Sequence, residues 1–200
     1  MKLRIGIDTD GVLRDLNRKI AEVFSEHNSN YKIKDMESYA NPFDMLPLPY
    51  KDAEQFVREH RKEIYENALP LRDCHKVSCF EKLLNWAKAK GHKLICVTNQ
   101  QEINIPSTNI WLGKYGFLFT EIHYTGNDIN KLASRADVIL DDYEPNLRHF
   151  KEDDKLAICF NRQYNKLTPK ILDIKSVTNL TEIIPIIEEY IREQNIRKSK

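Results

Sequence analysis

The sequence has 200 residues, of which 41% are hydrophobic and 30% are charged, a balance that is typical of a folded globular chain and argues against disorder. The 31 basic and 30 acidic side chains leave a formal net charge of +1 at pH 7, whereas a protein that binds a nucleic-acid polymer usually carries a clear basic excess. No apolar run is long enough to cross a bilayer, and the opening residues have the pattern of a strand, not of a secretory signal. We therefore expect a cytoplasmic protein that binds neither membranes nor nucleic-acid polymers.

The first part of the chain predicts one strand and then helices. Residues 3–7 are apolar and predict a strand that ends directly before Asp8. Residues 30–49 are irregular and hold three prolines. On either side of this stretch, apolar side chains at helical spacing predict two amphipathic segments, marked by Leu16, Ile20, Val23 and Phe24 and by Ala53, Phe56, Val57, His60 and Ile64.

From residue 78 onward, predicted helices and strands alternate. Ser78 and Glu81 have the spacing of a capping box, and the helix that they begin is expected to end at Gly91. A last helix is predicted from Asn179, which repeats that spacing with Glu182. The further strands are predicted at residues 93–97, 121–124, 138–140, 155–160 and about 172–177.

This alternation predicts an α/β fold with a largely parallel sheet and helices on both faces, because parallel strands need crossover connections. We expect a three-layer, Rossmann-like core formed by residues 1–16 and 73–200. Residues 17–72 have helical patterns without a convincing strand, and they predict a small inserted helical cap.

Polar side chains stand where three of the predicted strands end. These ends carry Asp8-Thr9-Asp10-Gly11 after the first strand, Thr98-Asn99 after the second, and Asp141-Asp142 after the strand at 138–140. Ligands of open parallel sheets bind beyond the carboxyl ends of the strands, so these side chains are expected to share one site. Several carboxylates in one site need a cation, and oxygen ligands select a hard ion, above all Mg²⁺ when a phosphate completes its shell.

With the metal placed, a phosphate monoester would approach Asp8, whose carboxylate attacks the phosphorus in line and forms an aspartyl-phosphate. Asp10 would give a proton to the leaving oxygen and later accept one from the hydrolytic water. Gly11 would let the backbone pass close to the metal and the phosphate, because it has no side chain. These residues predict a phosphatase that acts on a small phosphate monoester.

The phosphoryl oxygens also need donors and a positive charge. Thr98 supplies a hydroxyl, and the neighbouring Asn99 is expected to contact the substrate. Lys131 lies ten residues before Asp141 and would supply the charge that steadies the transition state. Lys114 is an alternative for this role, and the sequence alone leaves the choice open.

The order of these segments resembles a known superfamily. IGIDTDGV, LICVTNQ, a following lysine and VILDDYEPN resemble the four motifs of the haloacid dehalogenase superfamily. The resemblance implies that Asp8 is the nucleophile and Asp10 the acid/base. It also implies that Thr98 is the hydroxyl of the second motif and Lys131 the lysine of the third.

The same resemblance implies the ligands of a magnesium ion. Asp142 would be its carboxylate ligand together with Asp8, and Asp10 would add its backbone carbonyl. Asp141 would lie beside the metal carboxylates in a supporting position. Asn146 stands where many members have a second acidic residue, and it is expected in the same supporting shell.

A narrower resemblance concerns the 5′(3′)-deoxyribonucleotidases. The opening DGVL-x-D, the paired aspartates, the small cap and the stretch AICFNRQYN before VTNLTEI are similar to this family. The resemblance implies a (deoxy)nucleoside monophosphate as substrate. In the predicted cap, Phe43, Tyr50 and Tyr39 offer aromatic faces on which a nucleobase would stack.

Other interpretations of the same residues stay open. DTDG is also compatible with an acidic turn or the start of a calcium loop, although Gly11 falls early for such a loop. Cys74, His75 and Cys79 lie close in sequence, but no second pair at zinc-site spacing accompanies them. A sugar phosphomutase, a sugar phosphatase or a non-catalytic phosphometabolite-binding protein would carry the same opening motif. The oligomeric state is open, a homo-oligomer included.

Overall fold

A six-stranded parallel sheet forms the centre of the molecule, a computed structural model that describes residues 1–30, 36–71, 77–126 and 131–199. The strand order is β3-β2-β1-β4-β5-β6, so the chain builds one half of the sheet and then crosses β1 to build the other. The strands are β1 Arg4–Ile7, β2 Lys93–Thr98, β3 Glu121–Tyr124, β4 Val138–Asp141, β5 Leu156–Phe160 and β6 Lys175–Val177.

Helices cover both faces of this sheet and form the insertion after β1. They are α1 Leu16–His27, α2 Tyr50–Glu59, α3 Arg61–Asn67, α4 Val77–Lys90, α5 Ile105–Lys114, α6 Glu144–Glu152, α7 Thr168–Leu172 and α8 Ile183–Lys198. The predicted three-layer α/β fold is confirmed. None of the helices among the described residues has the length and apolarity that a membrane crossing requires.

Alternating side chains of the strands feed two separate apolar layers. In β2, Leu94 and Cys96 pack in one cluster with residues of α4, α5 and α8, including Phe80, Trp111 and Ile187. The intervening Ile95 and Val97 pack in a second cluster, with residues of α6 and α7. The central strands β1, β2, β4 and β5 are largely apolar because both of their faces are buried, whereas the edge strands β3 and β6 carry polar residues.

The bounds of five strands differ from the prediction. β1 and β5 each begin one residue later than predicted, at Arg4 and Leu156. β2 includes Thr98 and β4 includes Asp141, so each of these strands continues one residue further than predicted. β6 begins only at Lys175, because Leu172 closes the short helix α7. That helix starts with Pro169 in its first turn and ends where Asp173 adopts a left-handed conformation, with φ 50°. The apolar run that predicted one long strand therefore contains the end of a helix.

The cap has an apolar cluster of its own. It joins residues of α1, α2, α3 and the segment before α2, namely Leu16, Ile20, Ala21, Val23, Phe24, Met45, Leu46, Ala53, Val57, Ile64 and Tyr65. The second helical pattern is split in two, because His60 at φ −96° and ψ 13° separates α2 from α3. Among residues 17–30 and 36–71, no strand occurs beyond an isolated bridge at Pro70. The cap boundaries at 17 and 72 stay a prediction.

Two chain segments connect the core to the cap, and they pair with each other. The N–H of Leu71 donates to the carbonyl of Leu13 at 2.8 Å, and the N–H of Asp15 donates to the carbonyl of Leu69 at 2.9 Å. Between these two bonds lies Arg14, whose backbone pairs with Pro70. This paired connection holds the entry and the exit of the cap side by side, next to the end of β1.

Candidate active site

The predicted site residues meet at the carboxyl edge of the sheet, where β1 lies between β2 and β4. Asp8 follows β1 directly, and its N–H donates to the carbonyl of Leu140 in β4 at 3.0 Å. Asp141 is the last residue of β4 and Asp142 follows it, while Thr98 is the last residue of β2. The strand order reverses at β1, with β2 on one side and β4 on the other. Open α/β sheets bind ligands at such a position.

Three buried carboxylates form the centre of the site. One oxygen each of Asp8, Asp141 and Asp142 lies within 4.8 Å of the other two. The Nζ of Lys131 donates to Asp8 Oδ1 at 2.7 Å and to Asp141 Oδ2 at 2.8 Å, and the residue is only 1% exposed. If all are ionised, one ammonium against three carboxylates leaves an excess of two negative charges.

Burial, together with this negative excess, affects the pKa values of Asp8 and Asp142. Burial raises the pKa of Asp8 well above its usual range, and Asp141 and Asp142 act in the same direction while Lys131 opposes them. Burial and the neighbouring Asp141 raise the pKa of Asp142 to about 7. Burial alone would lower the pKa of Lys131, but the two carboxylates that it contacts raise it. The cluster is therefore costly to ionise without a further cation.

The donor set fits a divalent metal. All three side chains offer oxygen, and two additional positive charges would balance the cluster. Gly11, at φ 80°, lies against it so closely that a Cβ would stand 1.9 Å from Asp142 Oδ2. Only a glycine allows the loop after β1 to pass Asp142 at this distance.

Asp141 and Asn146 stabilise the cluster through hydrogen bonds. Asp141 Oδ2 accepts from Lys131 and from Asn146 Nδ2 at 3.0 Å, and its Oδ1 accepts from the N–H of Tyr143 at 2.9 Å. Asp141 thus orients the lysine and also holds the start of α6. The Oδ1 of Asn146 is buried and has no hydrogen-bond partner among the described residues.

Two partners of Asp10 were missed by the sequence analysis. Arg14 donates from Nε to Asp10 Oδ1 at 2.6 Å and from Nη2 to Oδ2 at 3.1 Å, and the Nε2 of Gln100 also donates to Oδ2. Arg14 lies four positions after Asp10, a spacing that favours pairing on a helix but gives no signal in a turn. Gln100 gives no signal either, because it follows β2 and comes close to Asp10 only when β2 and β1 lie side by side in the sheet.

Tyr164 and Asn165 were missed as well. The hydroxyl of Tyr164 donates to Asp142 Oδ2, and burial next to this carboxylate raises the pKa of the phenol. Asn165 Nδ2 donates to the carbonyls of Asp142 at 2.8 Å and Phe160 at 2.9 Å. Both lie in the stretch after β5, which drew attention only through its similarity to the nucleotidases.

A cavity of about 1010 Å³ lies between the carboxylate cluster and the cap. Its lining includes the predicted residues Asp8, Asp10, Gly11, Phe43, Tyr50, Thr98, Asn99, Lys131, Asp142 and Asn146. The rings of Phe43 and Tyr50 meet edge to face, with centroids 5.4 Å apart. Tyr39 is not part of the lining that the described residues form.

The structure also distinguishes between the two candidate lysines. The Nζ of Lys114 donates to the carbonyl of Glu66 and to Asn67 Oδ1, both at 3.2 Å, and the residue does not line the described part of the cavity. Lys131 is therefore the lysine that the structure brings to Asp8. Cys79 is a buried free thiol, whereas its sequence neighbours Cys74 and His75 lie outside the described residues.

Several solved structures of the same fold are described as haloacid dehalogenase-like hydrolases. The chain is similar to a predicted phosphoglycolate phosphatase from Haemophilus somnus, with 15% identity and a TM-score of 0.65 over 93% of this chain and 98% of that chain. It is similar to a haloacid dehalogenase-like hydrolase from Streptococcus pneumoniae, with 14% identity and a TM-score of 0.64 over 93% and 98% of the chains. CbbY from Rhodobacter sphaeroides, in complex with phosphate, has 16% identity and a TM-score of 0.59 over 92% and 97%. At these identities the similarity shows the fold.

The fold and the carboxylate site, together with a family match over most of the chain, define a phosphoric monoester hydrolase of the haloacid dehalogenase superfamily. A family model described as "5' nucleotidase, deoxy (Pyrimidine), cytosolic type C protein" matches residues 2–190, so the chain belongs to this family. The predicted superfamily and the predicted kinship with the nucleotidases are confirmed. No curated protein sequence matches the chain significantly.

Proposed function

We propose that this protein is a Mg²⁺-dependent phosphatase that hydrolyses a (deoxy)nucleoside monophosphate through an aspartyl-phosphate on Asp8. One observation carries the proposal. A buried carboxylate that lines the cavity is held by Lys131 at 2.7 Å and lies within 4.8 Å of oxygens of two further aspartates. This arrangement suits a nucleophile that must meet a phosphate in a site that balances its charge.

The residues of the chain account for both halves of the reaction. A carboxylate oxygen of Asp8 forms a bond to phosphorus while the bond to the leaving oxygen breaks, and Asp10 gives that oxygen a proton. Water then attacks the phosphorus of the aspartyl-phosphate, Asp10 accepts a proton, and inorganic phosphate leaves with the Asp8 carboxylate restored. Lys131 offsets the charge on the transferred group, and Thr98 lies at the same cavity wall to donate a hydroxyl.

Mg²⁺ would be held by the carboxylates of Asp8 and Asp142 and by the backbone carbonyl of Asp10. When bound, it supplies positive charge for the phosphoryl oxygens and neutralises the excess on the carboxylate cluster. Asp141 and Asn146 keep Lys131 and the end of β4 in place, and Tyr164 fixes the orientation of the Asp142 side chain.

We expect Mg²⁺ to raise the unfolding temperature of the wild-type protein, followed by circular dichroism. At a Mg²⁺ concentration about one hundred times its dissociation constant, the folded state gains about 2.7 kcal/mol. In Asp142→Asn most of this gain should be lost, while Asp154→Asn, an exposed aspartate outside the cavity, should keep it. An equal gain in Asp142→Asn, or stabilisation of the wild type by Zn²⁺ alone, would contradict the proposed magnesium site.

A nucleotide is the proposed substrate because of the cap and the family. The catalytic residues hold only the phosphate, which all candidate substrates share, so selection must come from side chains around the leaving group. Phe43 lies half-buried at the cap side of the cavity with Tyr50 against it. Aromatic faces stack on flat bases, and the matching family is described as a deoxy (pyrimidine) 5′ nucleotidase.

Phe43→Ala is expected to raise KM for a deoxynucleoside monophosphate about tenfold, because base stacking contributes about 1–3 kcal/mol. Hydrolysis of a small acyclic phosphate ester should change little, since such a substrate has no ring to stack. Tyr39→Ala is the matched control, because Tyr39 is an exposed aromatic residue of the cap outside the cavity lining that the structure describes. An equal loss on both substrates would make Phe43 a packing residue only.

The proposed function as a whole is tested by phosphate release from a panel of nucleoside monophosphates and sugar phosphates, with and without Mg²⁺. The expected result is Mg²⁺-dependent release that is fastest with a nucleoside monophosphate. Preference for hexose phosphates over every nucleotide would refute the nucleotidase and leave the phosphatase. Transfer of the phosphoryl group to a product without release of phosphate would indicate a phosphomutase, and binding without turnover would indicate a binding protein.

A further inference from the structure

We infer that Arg14 is a positioning residue for Asp10 and fixes the carboxyl group that serves the leaving oxygen. The inference rests on the proposed acid/base role of Asp10. Its basis is an ion pair between the buried Arg14 and the partly exposed Asp10, which the expected chemistry does not use. The guanidinium holds both carboxylate oxygens of Asp10, at 2.6 Å from Nε to Oδ1 and at 3.1 Å from Nη2 to Oδ2. Such a two-point contact fixes the plane of the carboxyl group as well as its position.

Arg14 is itself held on several sides. Arg14 is 0% exposed, and its Nη1 donates to the carbonyl of Tyr65 in α3 at 3.2 Å. Both terminal nitrogens contact Thr108 Oγ1 in α5, at 3.4 Å and 3.3 Å. The guanidinium carbon lies 4.9 Å from the centre of the Tyr65 ring and 5.1 Å from the centre of the Trp111 ring. These contacts from cap and core leave the guanidinium little freedom to rotate.

The consequence concerns proton transfer. A general acid works only within hydrogen-bond reach of the leaving oxygen, and a carboxyl group that rotates freely spends little time there. The side chain of Asp10 is 23% exposed and faces the cavity, so its fixed plane is presented to the substrate. When Asp10 carries a proton, one oxygen still accepts from Arg14, and the orientation is kept. Gln100, which donates to Oδ2, supports the same orientation.

The test separates positioning from a merely structural role by comparing two leaving groups. The alkoxide of a nucleoside 5′-monophosphate needs a proton as it departs, whereas the phenolate of para-nitrophenyl phosphate does not. Arg14→Lys keeps the buried charge and most of the volume but loses the two-point contact. We expect kcat/KM for the nucleotide to fall about thirtyfold or more and kcat/KM for the aryl ester to stay within about threefold.

Four further variants make the result decisive. Asp10→Asn should show the same selectivity with a larger loss, and Arg18→Met, which removes only an exposed arginine paired with Glu22, should show none. Arg14→Met repeats the measurement without the charge. Gln100→Leu leaves the Arg14 contacts in place and, if Arg14→Met does not fold, still loosens Asp10 and should give the same selectivity.

Equal loss on both esters in a folded Arg14→Lys protein, or no loss on either, would overturn the inference. An Asp10→Asn variant without selectivity would overturn it too, by removing the acid/base role. Failure of the proposed function is recognised separately, because in that case the wild-type protein itself releases no phosphate from the nucleotide.

Discussion

Asp8→Asn is expected to lower turnover about a thousandfold or more, because an amide oxygen cannot replace the carboxylate that forms the bond to phosphorus. The two side chains have nearly the same shape, and the fold should survive. In the absence of metal, the variant should be at least as stable as the wild type, because one of the carboxylates of a crowded, buried cluster becomes neutral.

The measurement is phosphate release under saturating substrate, together with thermal unfolding of each protein. Asp173→Asn is the matched control, since Asp173 is an exposed aspartate in a left-handed conformation that asparagine also tolerates. The control should keep wild-type turnover. Activity of a folded Asp8→Asn protein within about tenfold of the wild type would remove Asp8 from the nucleophilic role.

Lys131→Met is expected to lower turnover about a hundredfold or more, because the ammonium contributes charge to the transferred phosphoryl group and methionine contributes only volume. The variant should also unfold at a lower temperature without Mg²⁺. Lys131 contacts both Asp8 and Asp141, and its loss leaves buried carboxylates without a counter-charge. Added Mg²⁺ should restore part of this stability, since it supplies positive charge to the same cluster.

Lys114→Met is the matched control for this prediction. Lys114 contacts the carbonyl of Glu66 and the side chain of Asn67, and it lies outside the described cavity lining. We expect wild-type turnover from Lys114→Met. The reverse pattern, with an unaffected Lys131→Met enzyme and an inactive Lys114→Met enzyme, would transfer the role to Lys114.

The fold was predictable because its signals are local. Apolar runs of the right length, turn residues and cap spacings mark the strands and helices, and the capping box of Asn179 with Glu182 is present in the structure. Two local patterns led to wrong bounds of predicted elements. The apolar residues near 172 belong partly to a helix, and the continuous pattern from Ala53 to Ile64 hides the break at His60. Neither break has a glycine or proline at the position itself.

The site was predictable to the extent that strand ends determine it. Asp8, Thr98, Asp141 and Asp142 follow or close parallel strands, and topology alone brings them to one edge of the sheet. The choice of Lys131 over Lys114 was not available, because it depends on how the chain before β4 turns back. Tyr164 and Gln100 were missed for the same reason, since each reaches its aspartate from a segment distant in sequence.

Arg14 is the instructive case. From the sequence it is one charged residue in the turn after Gly11, and an exposed position would be the usual expectation. The structure buries it completely, because the paired connection between core and cap encloses it and Asp10 supplies a counter-charge. Burying the charge of an arginine costs free energy that its partners must offset. The contacts of Arg14 with Asp10, Tyr65 and Thr108 are therefore expected to matter for the reaction as well as for the fold.

The central claim is that Asp8 carries the phosphoryl group during turnover, and rapid-quench labelling tests it most directly. The protein is mixed with a nucleoside monophosphate that holds a radioactive phosphoryl group, quenched in acid within the first turnover and digested. We predict label on the peptide that contains Asp8, its release by hydroxylamine as expected of an acyl phosphate, and its absence in Asp8→Asn. Rapid phosphate release without any labelled protein, or label that persists in Asp8→Asn, would contradict the mechanism.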